Sequence, residues 1–404
     1  MWLCSQIGAR EHYSVPRVLH RDGRLAALYT DFWATNFLRK AARKTNVNSL
    51  HSLAARFHPE LEKARVISWN ARSLAWEAGS RQKKFQVYEN FIKIGTSFAR
   101  RVREALRRRN DLNPHSIFFS YDTGALETLE WCREKNIKCI LNQMDPNRVE
   151  VQTVQEEEKR WPDWNSHPLH VPEEYFKRRE SEWTLADKVI VNSDFSKQAL
   201  ARQGVPHEKL VVVPLSFETE HANQETGSRQ KPNTPLRVLF LGQVILRKGI
   251  QYLVQAAKLL EREPVTFDVV GPVGISTGAV ASAPPNVTFH GRITRNQAAR
   301  WYHQSDVFVL PTLSDGFAIT QLEAMSFGLP VVATPCCGNV VSDSSDGFIV
   351  PPRDAHALAN ALQKYLIEPG LLEHQRDAAM AKVKQFSLNH LAANLRSLEQ
   401  SFNL

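Results

Sequence analysis

Short apolar runs alternate with longer amphipathic stretches along most of the chain. Trp2 to Ile7, Leu25 to Tyr29, Arg65 to Trp69, Ile117 to Tyr121, Ile137 to Leu141, Lys188 to Val191 and Leu210 to Pro214 predict short strands, buried on both faces because polar residues do not alternate within them. Gln86 to Arg108 and Pro172 to Ala186 are the clearest helices between them. A second series starts with Leu236 to Leu241 and continues through Phe267 to Val270, Val287 to His290, Val307 to Leu310, Val331 to Thr334 and Phe348 to Val350. Its helices are expected over Gly249 to Leu260, Arg295 to His303, Ala318 to Phe327 and Ala355 to Leu366, and Leu371 to Phe402 reads as helical with a break near Ser387.

Strand–helix alternation of this kind predicts an α/β fold with parallel sheets and helices on both faces. Between the two series, Glu218 to Pro235 is polar and lacks any large apolar residue, the composition of a linker. With 404 residues the chain is too long for one core, so two domains are expected. The boundaries are 1–217 for a first Rossmann-like domain, 218–235 for the linker and 236–386 for a second. Residues 387–404 form a final helix that could return to the first domain. Two such sheets facing one another enclose a cleft, with ligands beyond the carboxyl ends of the strands.

The net charge of +9 is unevenly placed: residues 1–110 hold 22 Lys and Arg against 8 Asp and Glu, whereas the rest holds 29 against 34. Arg100, Arg101, Arg103, Arg107, Arg108 and Arg109 are the densest cluster, and two readings stay open. It is either a solvated helix end, where cations suit the macrodipole, or a surface for peripheral contact with an anionic membrane. No nucleic-acid signature accompanies it, so no nucleic acid is expected as partner. Cys4, Cys132, Cys139, Cys336 and Cys337 have neither disulfide-framework nor zinc spacing and read as free thiols. Arg10, Glu11 and His12 interrupt any secretory apolar stretch, and no run of 18 apolar residues occurs. A cytoplasmic location is the expectation, with a peripheral position on the inner membrane face left open.

Two segments carry candidate chemistry. In Leu236 to Leu260 a strand ends at Gly242, a short loop bears Arg247 and Lys248, and a helix starts near Gly249; two cations beside a helix N-terminus suit a phosphate, although a plain loop with surface cations reads the same way. In Leu310 to Thr334, Asp315 lies in a turn and Glu323 in the following helix; eight helical steps would turn about 80° past two full turns, so one helix would not align the two acids. Asp315 can then face a sugar or cap the helix, Glu323 can accept from ribose hydroxyls or be an ordinary exposed acid, and the amides of Gly316, Phe317 and Ala318 can point at a phosphate.

Gly242 with Lys248 and Gly249, Gly291 with Arg292, the run D-G-F-A-I-T-Q-L-E-A-M at 315–325, Gly328 to Val332 and Asp343 to Pro352 together resemble the retaining GT-B-fold glycosyltransferases of the family 4 group. The resemblance implies that Lys248 binds a donor diphosphate, with Arg292, Gln243 and Arg247 on the donor side. It implies that Glu323 holds ribose hydroxyls, that Gly316, Phe317 and Ala318 give backbone contacts, and that Asp315 contacts the transferred sugar. Three positions depart from the family pattern: Asp315 where Glu is usual, Gln243 where Arg is frequent, with Arg247 able to supply the charge, and Ala318 where a second Gly often stands.

The first strand runs into Gly8, where a donor phosphate could approach the backbone closely, or where a plain turn would serve. His12 beside it is assigned no role. At the end of the Ile137 strand, Gln143 could orient donor or acceptor and Asp145 could act as a base, or Asp145 with Pro146 could be a turn. The Glu156–Glu158 run reads as a solvated helix face.

The expected activity is transfer of a sugar from a nucleoside diphosphate sugar to a hydroxyl acceptor with retention, in glycan, polysaccharide or glycolipid synthesis. The sugar nucleotide is a co-substrate, no cofactor is expected, and without a D-x-D pair no metal is expected. A catalytically silent sugar-nucleotide-binding or partner subunit is the main alternative. A dehydrogenase is weaker, because no strand is followed by G-x-G-x-x-G, and a lipid- or nucleic-acid-binding module would rest on the basic first 110 residues alone.

Overall fold

The computed structural model describes residues 1–42, 48–71, 87–165, 169–218 and 235–402. Most of the expected linker, and Gln86 at the start of the first long helix, lie outside the described residues.

The first sheet has seven strands: β1 (Trp2–Gln6), β2 (Leu25–Thr30), β3 (Val66–Ser68), β4 (Ile117–Tyr121), β5 (Lys138–Gln143), β6 (Lys188–Val191) and β7 (Leu210–Val212). Their order is β3-β2-β1-β4-β5-β6-β7, and every pairing is parallel. The second has six: β8 (Leu236–Leu241), β9 (Val265–Val270), β10 (Val287–Gly291), β11 (Val307–Leu310), β12 (Val331–Ala333) and β13 (Gly347–Ile349), in the order β10-β9-β8-β11-β12-β13 and again parallel throughout. The expected α/β class with two Rossmann-like sheets is what the chain adopts.

Both central strands are apolar because helices cover both sides: Trp2, Leu3 and Cys4 of β1, and Val307, Phe308 and Val309 of β11, have at most 1 % of their surface exposed. Each fully buried side chain of that size contributes roughly 1.5–3 kcal/mol. The strand order reverses between β1 and β4 in one sheet and between β8 and β11 in the other. These are the places where loops leaving the strand ends diverge and open a crevice.

Three segments tie the domains together. The helix Arg148–Arg160 leaves β5 and lies against the second domain. The loop after β11 meets the loop after β5: a Cβ on Gly316 would lie 2.0 Å from the Met144 carbonyl oxygen. The helix Leu371–Val383 ends in a tight turn, Lys384–Phe386, and Ser387 then redirects the chain into the helix Leu388–Gln400. That last helix packs Leu388, Leu391, Leu395 and Leu398 against Val15, Val18 and Leu19 of the first domain. Arg24 to Glu399 at 2.5 Å and Arg396 to Asp22 at 3.1 Å seal its edge. All five cysteines are free and buried.

One expectation holds only in part. In the Glu156–Glu158 run Glu156 is exposed and Glu158 half-buried, but Glu157 is fully buried and accepts from Arg353 Nε at 2.7 Å, Gln251 Nε2 at 2.9 Å and Tyr252 Oη at 2.8 Å. All three partners belong to the second domain, and three donors satisfy a carboxylate that could not otherwise lose its water.

Candidate active site

The C-terminal half of the site sits at the reversal between β8 and β11. After β8, Val244 and Leu246 are buried and pin a tight turn, Leu246–Lys248, so that Arg247 and Lys248 point into the cleft. Gly249 follows with φ +74°, and a Cβ there would lie 1.9 Å from the Pro311 carbonyl oxygen; only glycine lets this turn close against the loop after β11. The Arg247 carbonyl accepts from the Leu313 amide at 2.9 Å, which fixes the two loops to each other.

Lys248 Nζ is ion-paired with Asp315 Oδ2. Arg247 Nη1 donates to the Ser314 carbonyl at 2.9 Å, reaches Glu150 Oε2 at 3.3 Å and stands 4.0 Å from Asp315 Oδ1. Thus the two cations expected to meet a phosphate face carboxylates from both domains. Glu150 comes from the first turn of the helix Arg148–Arg160. Burial, with Asp145 and Asp315 nearby, pushes its carboxyl up to about 7 although Arg247 and Lys248 oppose the rise.

Asp315 lies in the loop and Glu323 in the helix Ile319–Ser326. Glu323 is half-buried and accepts from Tyr302 Oη at 2.8 Å. The Asp315 amide donates to the Cys336 carbonyl at 2.8 Å and the Ala318 amide to the Cys337 carbonyl at 3.1 Å. Ala318 is therefore a clamp on the loop, and its amide is not available for the phosphate contact expected of it. Among the described residues the amides of Gly316 and Phe317 meet no acceptor. The Phe317 ring is buried against Phe386, at 5.9 Å between centroids. Gln243 is exposed just beyond β8, and Arg292 is exposed beyond β10, two strands out from β8. Neither is brought to the Lys248–Asp315 pair by a described contact.

The N-terminal half lies beyond β1, β4 and β5. A cavity of about 210 Å³ opens at the reversal between β1 and β4, walled by Ile7, Phe91, Phe98 and Tyr175, with Gln6 and Asp145 among its polar groups. Asp145 is bonded to Arg179 Nη2 at 2.7 Å and accepts from the Asn147 amide at 2.8 Å. Burial alone would raise its carboxyl, but the Arg179 charge and hydrogen bond hold it below the usual range, so it is a carboxylate of low basicity. Arg179 is itself buried and shared with Asp122 at 2.5 Å. Gln143 has no exposed surface; it accepts from Trp183 Nε1 at 2.8 Å and donates to the Asp145 carbonyl at 3.0 Å. It also donates to Asp122 Oδ2 at 3.4 Å, so its side chain is held by Trp183, Asp122 and the Asp145 backbone. Gly8 takes φ +75° and its amide donates to Asp31 Oδ1 at 2.8 Å, so a phosphate there would have to compete with Asp31.

Glu150, Arg179 and Asp122 are the site residues that sequence reasoning missed. Their partners lie 97, 34 and 57 positions away, and no local spacing announces such pairs.

Residues 235–368 match the family model described as "Glycosyl transferases group 1". The amylovoran biosynthesis glycosyltransferase AmsK of Erwinia amylovora is 25 % identical over 246 residues, 55 % of this chain and 58 % of its own. A D-inositol 3-phosphate glycosyltransferase of Streptomyces griseus is 30 % identical over 180 residues, 40 % of this chain and 38 % of its own. The chain thus spans 58 % or less of the length of these curated relatives. Among solved structures, the sucrose-phosphate synthase of Thermosynechococcus elongatus superposes with a TM-score of 0.65 at 20 % identity, covering 100 % of this chain and 99 % of its own. TarM gives 0.65 at 12 % identity over 98 % of each chain. The segment that matches the glycosyl transferases group 1 model contains Arg247, Lys248, Asp315 and Glu323, and the superposition on the two solved structures takes in both sheets, so the chain has a GT-B-type fold of two facing parallel-sheet domains.

Proposed function

We propose that the chain is a retaining glycosyltransferase that moves a sugar from a nucleoside diphosphate donor to a hydroxyl acceptor in polysaccharide or glycoconjugate synthesis. The observation that carries this reading is the meeting of Arg247, Lys248 and Asp315 at the β8–β11 reversal, with Glu323 on the helix that follows Asp315. Two similar proteins support it: AmsK acts in amylovoran biosynthesis, and a solved Anabaena HepE, TM-score 0.57 at 13 % identity, is in complex with UDP and glucose.

As the glycosidic bond breaks, negative charge grows on the leaving diphosphate. Lys248 and Arg247 neutralise it, and the Gly316 and Phe317 amides offer further donors in a site where water is scarce. Glu323, held by Tyr302, accepts from the ribose hydroxyls, and Asp315 binds the sugar once Lys248 has turned to the phosphate. The acceptor enters from the cavity above β1 and β4 and attacks from the face the diphosphate leaves, which gives retention without an enzyme nucleophile. Asp145, tied to Arg179, acts as a fixed hydrogen-bond acceptor and not as the proton's destination; the departing phosphate takes the proton. The cations do the work a metal would do, so activity is expected to survive a chelator.

No described helix is long and apolar enough to cross a membrane. Exposed Arg100, Arg107 and Arg108 suit peripheral contact with an anionic lipid surface, which co-sedimentation with anionic vesicles at two salt concentrations checks. The central test is binding and hydrolysis of UDP-, GDP- and ADP-linked sugars by the protein and by Lys248→Ala and Glu323→Ala. Binding and turnover of one donor, lost in both variants, supports the transferase. Binding without turnover in any acceptor mixture supports the silent subunit, a reading that the exposed, uncharged Gln243 keeps in view.

A further inference from the structure

Five charged groups from both domains meet at the mouth of the donor crevice. Glu150 comes from the helix Arg148–Arg160, Arg247 and Lys248 from the turn after β8, Asp315 from the loop after β11 and Asp145 from the loop after β5. Ser314 Oγ also donates to Glu150 Oε2, at 3.4 Å, and Tyr88 of the helix Val87–Arg107 feels both Glu150 and Asp145. Arg179 is engaged by Asp122 and Asp145, and Arg148 turns away to Glu173 and Glu180. That leaves Glu150 and Asp315 facing Arg247 and Lys248, with the Arg179-bound Asp145 carboxylate beside them. Arg247 bridges the domains, because its one guanidinium nitrogen serves Glu150 from the first and the Ser314 carbonyl from the second.

We propose that Glu150 is the residue through which the N-terminal domain answers donor binding: it holds Arg247 across the cleft while the diphosphate position is empty and takes up one proton from solvent when the diphosphate arrives. The inference rests on the donor reading given above. A doubly charged diphosphate beside Arg247 and Lys248 adds anions to a site already rich in carboxylates. Of these, Asp315 keeps Lys248 or a sugar hydroxyl and Asp145 keeps Arg179. Among the described residues Glu150 forms an ion pair with Arg247, which the diphosphate claims, while Lys248 acts on it only from farther off. Burial and the two neighbouring acids already hold its carboxyl at about 7, so it is the group that neutralises first. The step is the protonation of Glu150 carboxylate to carboxylic acid. No other bond changes, but an ion pair between the domains is lost, while Glu157 to Arg353 remains.

Calorimetric titration of UDP-glucose, GDP-mannose and ADP-glucose into the full chain at pH 8, in Tris and in phosphate, tests this. These diphosphates are esterified at both ends and do not titrate near neutrality, so any buffer-dependent heat reports the protein. The expected result is uptake of half to one proton per donor bound by the wild type, and uptake near zero with binding retained in Glu150→Gln. In the wild type alone, donor Kd is expected to weaken up to tenfold per pH unit above 7, which checks the proposal even if the variant folds poorly. Binding without uptake, or uptake that persists in Glu150→Gln, overturns the role of Glu150 and leaves the donor reading standing. Binding of none of the three overturns the donor reading and this inference with it.

Discussion

Arg353 Nε donates to Glu157 Oε1 at 2.7 Å across the cleft, and the Glu157 side chain has no exposed surface. The other oxygen of Glu157 takes Gln251 and Tyr252. One carboxylate from the first domain thus collects three donors of the second. Replacing Glu157 by Ala removes an acceptor from all three, although Arg353 keeps Glu156 and Gln251 keeps the Leu246 carbonyl, and losing such a buried acceptor costs about 1–3 kcal/mol. The expected outcome is a large fall in Tm and easier proteolysis between the domains. Arg353→Ala leaves the fully buried Glu157 carboxylate without its cation and should cost at least as much. Equal, small effects from both variants would show that the cluster contributes little to domain association.

Lys248→Ala is expected to lower kcat/KM for transfer by about 10²–10³, the range seen when one preorganised donor to a developing anion is removed. Glu323→Gln should act mainly on donor KM, because ribose is held alike in ground and transition states. Steady-state kinetics with the identified donor separates the two. A KM effect for Lys248→Ala with unchanged kcat would mean that the lysine only binds.

Gly316→Ala puts a methyl group 2.0 Å from a backbone oxygen of the opposite domain. The loop after β11 must then withdraw from the loop after β5. Activity should fall at least tenfold with little change in Tm, because the clash is relieved by parting two surfaces and not by disturbing either core. Activity and Tm falling together would place the strain inside the second domain instead.

Glu182 is fully buried and accepts from the amides of Thr123, Ala125 and Leu126 at 2.6, 3.0 and 3.0 Å. Burial pushes its carboxyl up to about 7. The folded chain therefore binds more protons than the unfolded chain between about pH 4.5 and 7. The stability this group contributes is fully present at the acid end of that window and is lost as pH rises to 7; Glu150 adds in the same direction. Full expression of one such shift is worth about 3 kcal/mol. Glu182→Gln should lower stability overall and flatten its fall from pH 5 to 8, as followed by thermal unfolding. An unchanged slope would mean that Glu182 stays ionised throughout.

Periodicity carried the fold well because parallel strands covered on both faces are nearly pure apolar runs. The series from Leu236 to Val350 maps onto β8 to β13 with shifts of one or two residues at the ends. The loop position of Asp315 and the helical position of Glu323 were legible for a similar reason, since the turn residues and the helix pattern lie beside them. Pairs between domains were not. Glu157 stands in a run of three acids whose spacing looks like any solvated face, and only its meeting with Arg353, 196 residues later, explains its burial. Gln143 illustrates the same limit: a polar residue at a strand end reads as a ligand contact, and its bonds to Trp183, Asp122 and the Asp145 backbone are visible only in the fold.

The helix Leu388–Gln400 supplies five residues to the core that also holds Trp2, Val15 and Ile117. On the ribosome those five emerge only after the whole second domain has been made. The half of the molecule that is translated first is thus completed last, and until then it shows an apolar groove along the helix Ser14–Arg21. Assembly of the first domain waits on the second, so a nascent chain stalled after β7 has emerged but short of residue 388 would carry a finished first sheet and an open seam.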